Sequence, residues 1–203
     1  MRFILVIFIL FYTLSADAQE KFIIVNQKAP NIIAQDIYNR PVNLIELTRT
    51  KKILLTFQRY ATCPVCNYRI RELMRMHDEL DLKGIEVIMF IESSKSNILK
   101  NLRGEKMPFY IIADPENKFY QMYGVEKSAI KSLGNYMMNA TTRRLIKEGE
   151  KYVNPEVEKD GTLKRIEAEF LVNTRGNISM VHYGKYIGDF VQLDKVKSFV
   201  VKD

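Results

Sequence analysis

The chain has 203 residues, 47% of them apolar and 27% charged, with a formal net charge of +7. Nine Gly, six Pro and two Cys in that length exclude a disulfide-rich mini-scaffold, a collagen-like chain and a disordered tail, and at about 150 residues per domain the chain makes one domain or a little more. Only the first dozen residues form a long apolar run, which excludes a multispan membrane protein.

That run reads as a targeting segment. Met1-Arg2 supply a positive start, Phe3 to Phe11 an apolar stretch, and Ala16-Asp17-Ala18 an A-x-A cleavage pattern before Gln19. The stretch is too short for a transmembrane helix and suits a secretory signal peptide over residues 1–18, leaving a domain over 19–203 with no stable membrane insertion. The expected location is therefore exported, periplasmic or extracellular, where disulfides form and persist.

In the mature chain, Phe22–Val25 is a short strand candidate. Asn31–Ile37, a turn at Asn39-Arg40-Pro41 and Val42–Leu44 predict a small hairpin. Ile53–Phe57 is a compact apolar run and predicts a buried strand. From Cys66 to about Leu82 the residues Ile70, Leu73, Met74, His77 and Leu80 recur at helical spacing, and Gly84 ends the helix. Ile85–Ile91 predicts a second buried strand, Ser93 or Ser94 a cap for a helix over Ser96–Leu102, and Pro108–Ala113 a third strand. A helix follows from Asp114-Pro115 to Tyr123.

Residues 126–152 predict a basic helical insertion with Ile130, Leu133, Met137, Met138, Leu145 and Ile146 on its apolar face, packed on the domain or covering a substrate. Asn154–Lys164 reads as loop. Glu167–Val172 and Ile178–Tyr183 flank a turn and predict a closing hairpin, with His182 an ordinary edge-strand residue, and Leu193–Val201 a last helix. Alternating strands and helices followed by a hairpin predict an α/β fold, with a central mixed sheet flanked by helices.

The chemistry centres on Cys63-Pro64-Val65-Cys66, which follows a buried strand and opens a helix. Free N–H groups and partial positive charge at a helix N-terminus favour a thiolate, and Arg59 adds a cation four residues before Cys63. A structural disulfide is the weaker reading, since a four-residue ring gains only about 2 kcal/mol of loop entropy. No cofactor is expected. A metal site lacks ligands, because the only other soft donors are His77 and His182 and no second Cys-x-x-Cys exists. A Cys-x-x-Cys beside a β-α-β pattern instead reads as redox chemistry. The positive charge is spread over Lys51-Lys52, Arg69, Arg71, Arg75, Arg143-Arg144 and Lys147, which reads as solvated helix faces and not as a nucleic-acid site.

Phe57-Gln58-Arg59-Tyr60-Ala61-Thr62-Cys63-Pro64-Val65-Cys66-Asn67 resembles the active-site stretch of the peroxiredoxin-like branch of the thioredoxin superfamily, the alkyl hydroperoxide reductase/thiol-specific antioxidant group. The likeness runs through Ala29-Pro30 and Pro108–Asp114 to Phe170-Leu171-Val172, Gly176, His182-Tyr183-Gly184-Lys185 and Ile187-Gly188-Asp189. The resemblance implies a thioredoxin-like fold and a thiol peroxidase or thiol–disulfide oxidoreductase. Its substrate would be a hydroperoxide or a protein disulfide, and an external thiol would be the reductant. The catalytic candidates are Cys63, Cys66 and Arg59.

Two registers stay open. The peroxiredoxin register makes Cys66 the attacking thiolate, which becomes a sulfenic acid and condenses with Cys63; the thioredoxin register makes Cys63 the nucleophile. A non-enzymatic binding domain is the alternative from another class. Two positions depart from the resembled pattern. Arg59 stands where the peroxiredoxin motif has Pro, and Glu167 stands where thioredoxin folds carry a cis-Pro. The latter predicts a trans bond and a carboxylate that raises the thiol pKa values.

Overall fold

The computed structural model describes residues 22–125, 127–129, 131–132 and 139–198. The expected signal peptide lies outside them, as do Glu126, Ile130, Leu133, Met137, Met138 and the end of the last helix.

Strand β1 (Ile33–Gln35) pairs antiparallel with β2 (Pro41–Asn43), and helix α1 (Leu44–Leu47) follows. The main sheet contains β3 (Lys52–Gln58), β4 (Ile85–Ile91), β5 (Tyr110–Ala113), β6 (Ala168–Val172) and β7 (Ile178–Tyr183) in the order β5-β4-β3-β6-β7. β3, β4 and β5 run parallel, and β6 and β7 join antiparallel. The connecting helices are α2 (Pro64–Leu82), α3 (Lys95–Leu102) and α4 (Lys118–Met122). Before β6 comes α5 (Ala140–Gly149), and α6 (Leu193–Ser198) ends the described chain. The sheet is mixed and flanked by helices, as the alternation predicts. No helix among the described residues is long and apolar enough to cross a membrane.

Period-two alternation divides the strands between two cores. Leu54, Val87, Met89, Ile111 and Leu171 face α2 and α3 and pack with Ile70, Leu73, Leu80 and Ile98. Leu55, Phe57, Ile88, Phe90 and Phe170 face the other way and pack with Tyr120 and Tyr123. Phe57 and Phe90 are cross-strand neighbours whose rings stack at 4.4 Å. Local chemistry sets the helix ends. Ser94 Oγ accepts from Asn97 N–H at the start of α3, and Gly84 takes φ +68° just after α2, a conformation that costs glycine little.

Two expectations change. Phe22–Val25 is not a strand: Ile23 is buried and donates its N–H to Tyr183 Oη at 2.9 Å, and no ladder forms there. Arg69 is not part of a solvated face. It is 1% exposed and its guanidinium grips the Glu169 carboxylate at 2.8–3.0 Å, Glu72 at 2.5 Å and the Val191 carbonyl at 3.0 Å. The reason is strand parity, which puts Glu169 beside Leu171 on the face that α2 covers and so supplies a buried partner for a buried cation.

Candidate active site

β3 ends at Gln58, and the chain turns through Arg59–Thr62 into α2. Cys63 is the N-cap of that helix: its Sγ accepts the Cys66 N–H at 3.3 Å, and Pro64 occupies the first turn, where a missing N–H costs nothing. The backbone N–H of Arg59 points to Cys66 Sγ at 3.3 Å, and Arg59 Nη1 lies 3.9 Å from Cys63 Sγ. Arg59 is itself anchored, with Nη2 donating to the Leu163 carbonyl at 2.5 Å. Asn67, one turn into α2, donates to the carbonyls of Ala61 and Cys63 at 2.8 and 2.9 Å and locks the turn. Asn101 Nδ2 in turn holds Asn67 Oδ1 at 2.9 Å.

Both thiols are free and buried, and their environments drive them apart. Burial acts to raise the Cys63 pKa, but hydrogen bonds from Cys66 and the Arg59 guanidinium outweigh it and bring the thiol down to about 6. Cys66 is pushed well above the ordinary thiol value by burial, by the neighbouring Cys63 thiolate and by Glu167. Glu167 is 1% exposed and immediately precedes β6, on the same strand parity as Glu169. Its Oε2 accepts the Gly188 N–H at 3.2 Å, whereas Oε1 is buried with no partner. Burial pushes its carboxyl up to about 8, with Arg59 opposing and Cys63 reinforcing the shift. No peptide bond among the described residues is cis, so Glu167 occupies the position in the trans form. The expected rise in thiol pKa holds for Cys66 and fails for Cys63, because Cys63 has the helix-cap N–H and the guanidinium.

Around the pair, Tyr60, Val65, Leu145, Ile166 and Ile187 form a small apolar cluster. Beside it opens a groove of about 660 Å³, reached by Arg59, Thr62 and Pro64 at the Cys63 turn, Ile146 on α5, and Leu163 and Lys164. The described part of the insertion therefore packs on the domain and also walls the groove. Its approach is close: a Cβ on Gly149 would sit 1.9 Å from the Pro64 carbonyl oxygen. His182 is on the edge strand β7 and meets the Asp189 carbonyl at 2.7 Å.

Residues 25–181 match the AhpC/TSA family profile. The chain belongs to the AhpC/TSA family. Solved structures agree on the fold: BcpB, a peroxidoxin from Mycobacterium tuberculosis, superposes with a TM-score of 0.63 at 11% identity, covering 88% of this chain and 97% of that one. The reduced 2-Cys peroxiredoxin of Plasmodium vivax gives 0.61 at 15%, covering 87% and 80%. A Chlorobium tepidum protein assigned as the thiol:disulfide interchange protein DsbE gives 0.56 at 17%, covering 88% and 96%. No curated protein matches the chain. The fold is thus thioredoxin-like, and membership of the AhpC/TSA family makes the protein a thiol peroxidase or thiol oxidoreductase in general terms.

In this AhpC/TSA member the three candidates read from sequence, Cys63, Cys66 and Arg59, come together at one strand–helix junction, and Glu167 joins them from the residue just before β6. Sequence reasoning missed Asn67 as the clamp of the turn, Leu163 as the anchor of Arg59, and the groove. Asn67 carries a local signal, an amide four residues after the capping cysteine. Leu163 carries none, because it acts through its backbone carbonyl from about 100 residues away.

Proposed function

We propose that the protein is a thiol–disulfide oxidoreductase in which Cys63 attacks and Cys66 resolves. The observation that carries this reading is the asymmetry of the pair: Cys63 Sγ caps α2 and has the Arg59 guanidinium 3.9 Å away, whereas Cys66 Sγ receives only the Arg59 backbone N–H. The Cys63 thiolate attacks one sulfur of a substrate disulfide, the substrate S–S bond breaks, and the second substrate sulfur leaves as a thiolate. The Cys66 thiol then gives up its proton, for which Glu167 is the adjacent acceptor in the fraction of molecules where its carboxyl, raised to about 8, is ionised, and attacks Cys63 Sγ. The mixed disulfide breaks, the substrate leaves with both sulfurs reduced, and the protein holds a Cys63–Cys66 disulfide. An external dithiol takes over that oxidation and restores the pair. The apolar groove beside Cys63 suits a polypeptide substrate, and the pattern of residues 1–18 supports an exported one.

The test is trapping. Cys66→Ser, mixed with a disulfide-bonded polypeptide, is expected to accumulate a mixed disulfide at Cys63, and Cys63→Ser is expected to form none. An adduct in Cys63→Ser alone, or in neither variant, overturns the assignment.

Hydroperoxide reduction is the second reading, favoured by the family match over residues 25–181. A thiolate attacks the O–O bond, the alcohol leaves, the sulfenic acid condenses with the other thiol, and water is released as the disulfide forms. Stopped-flow mixing of reduced protein with hydroperoxide distinguishes the readings: loss of both thiols faster than free cysteine supports the peroxidase, and a rate no faster than free cysteine excludes it.

A further inference from the structure

We propose that the reduced protein binds one zinc-type divalent cation through Cys63 Sγ, Cys66 Sγ and Glu167 Oε1, and that forming the Cys63–Cys66 disulfide abolishes the site. Three observations carry this. The ligand atoms of Cys63, Cys66 and Glu167 all lie within 4.8 Å of one another, and all three residues are buried. In a tetrahedral zinc site with Zn–S of about 2.3 Å the sulfurs stand about 3.8 Å apart, so the cluster needs to close by no more than about 1 Å. Glu167 Oε1 has no hydrogen-bond partner although it is buried, and its companion Oε2 is fixed by Gly188 N–H. A buried carboxylate oxygen with no hydrogen-bond partner, on a residue whose carboxylate reaches within 4.8 Å of both sulfurs, has a lone pair available to a cation.

Second, the sulfurs are already oriented as ligands. The N–H groups of Cys66 and Arg59 point at Cys63 Sγ and Cys66 Sγ, the kind of outer hydrogen bond that holds a thiolate ligand in place. Third, the charges close. Two thiolates and a carboxylate carry three negative charges, and a divalent cation together with the Arg59 guanidinium neutralises them. Two sulfurs and one oxygen suit a borderline cation such as Zn²⁺, whereas Mg²⁺ and Ca²⁺ prefer all-oxygen cages. Three protein ligands leave the fourth tetrahedral position for water or an incoming group. The groove reaches Thr62 and Pro64, the residues on either side of Cys63. The sequence hid this site because the third ligand comes from the residue just before the neighbouring strand β6, about 100 residues after the cysteines, and neither His77 nor His182 takes part.

The test uses the reduced full chain and no disulfide substrate, so its failure is separate from that of the oxidoreductase reading. Zn²⁺ is titrated in competition with a chromophoric chelator, and Co²⁺ replaces it for spectroscopy. The expected result is one ion per chain with a thiolate-to-cobalt charge-transfer band, and no uptake by the disulfide form. Loss of an outer-shell partner costs about 10–100-fold in metal affinity, so removing a ligand in Glu167→Gln is expected to weaken Zn²⁺ by at least that much. A near-UV circular dichroism spectrum and a urea midpoint at pH 4.5 that match the wild type show that Glu167→Gln is folded. No binding by the reduced wild-type chain, equal affinity in Glu167→Gln, or equal binding by the disulfide form each overturns the proposal.

Discussion

Glu167→Gln in the reduced, chelator-treated protein is expected to reshape the pH dependence of stability. The Glu167 carboxyl titrates near 8 in the folded chain against an ordinary 4.5. Between those values the folded state holds a proton that the unfolded state has lost, so stability falls as pH rises through the interval. Each pH unit is worth about 1.4 kcal/mol, which makes the full interval worth roughly 5 kcal/mol. Glutamine has nearly the same shape and does not ionise, so the variant and the wild type match near pH 4.5 and the variant gains steadily up to pH 8. Cys63 works in the opposite direction, since its depressed pKa adds stability between about 6 and 9.0 in both proteins and largely cancels in the difference. Urea unfolding at half-unit intervals from pH 4.5 to 8.5 measures that difference. Parallel curves for the two proteins would refute a buried, proton-holding Glu167.

Three further predictions concern the supports of the site. Arg59→Met removes the guanidinium beside Cys63 and is expected to move its titration from about 6 toward the ordinary 9.0; alkylation of Cys63 at pH 7 then slows by at least about tenfold, read by mass spectrometry. Gly149→Ala places a methyl group 1.9 Å from the Pro64 carbonyl, which must push α5 from α2; the expected loss is about 1–3 kcal/mol in chemical denaturation, and an unchanged stability contradicts the close approach. Glu169→Gln removes the fully buried one of Arg69's two carboxylate partners, leaving Glu72, and is expected to cost about 1–3 kcal/mol in the same assay.

Much of the fold is legible in the sequence because its periodicities are unambiguous. Ile85–Ile91 is a strand at the limits its apolar run predicts, and Ile70, Leu73 and Leu80 mark the buried face of α2. Phe22–Val25 misleads for a physical reason: it is apolar enough for a strand, but its backbone meets no ladder and Ile23 is held by a tyrosine hydroxyl. Arg69 misleads because a charge on a helix reads as solvated until its partner is known, and Glu169 is about 100 residues away. At the site, the Cys63–Cys66 spacing, Arg59 and the placement of Glu167 were all visible. The different fates of the two thiols were not. They follow from which sulfur caps α2 beside the Arg59 guanidinium, and that depends on the junction being folded.

The central claim is that Cys63 is the attacking thiolate. Its most direct test is the pH dependence of alkylation of each cysteine in the reduced wild-type protein, resolved by peptide mass spectrometry. Cys63 is predicted to react with a midpoint near pH 6 and Cys66 only under strongly alkaline conditions. Modification of Cys66 ahead of Cys63 would contradict the account.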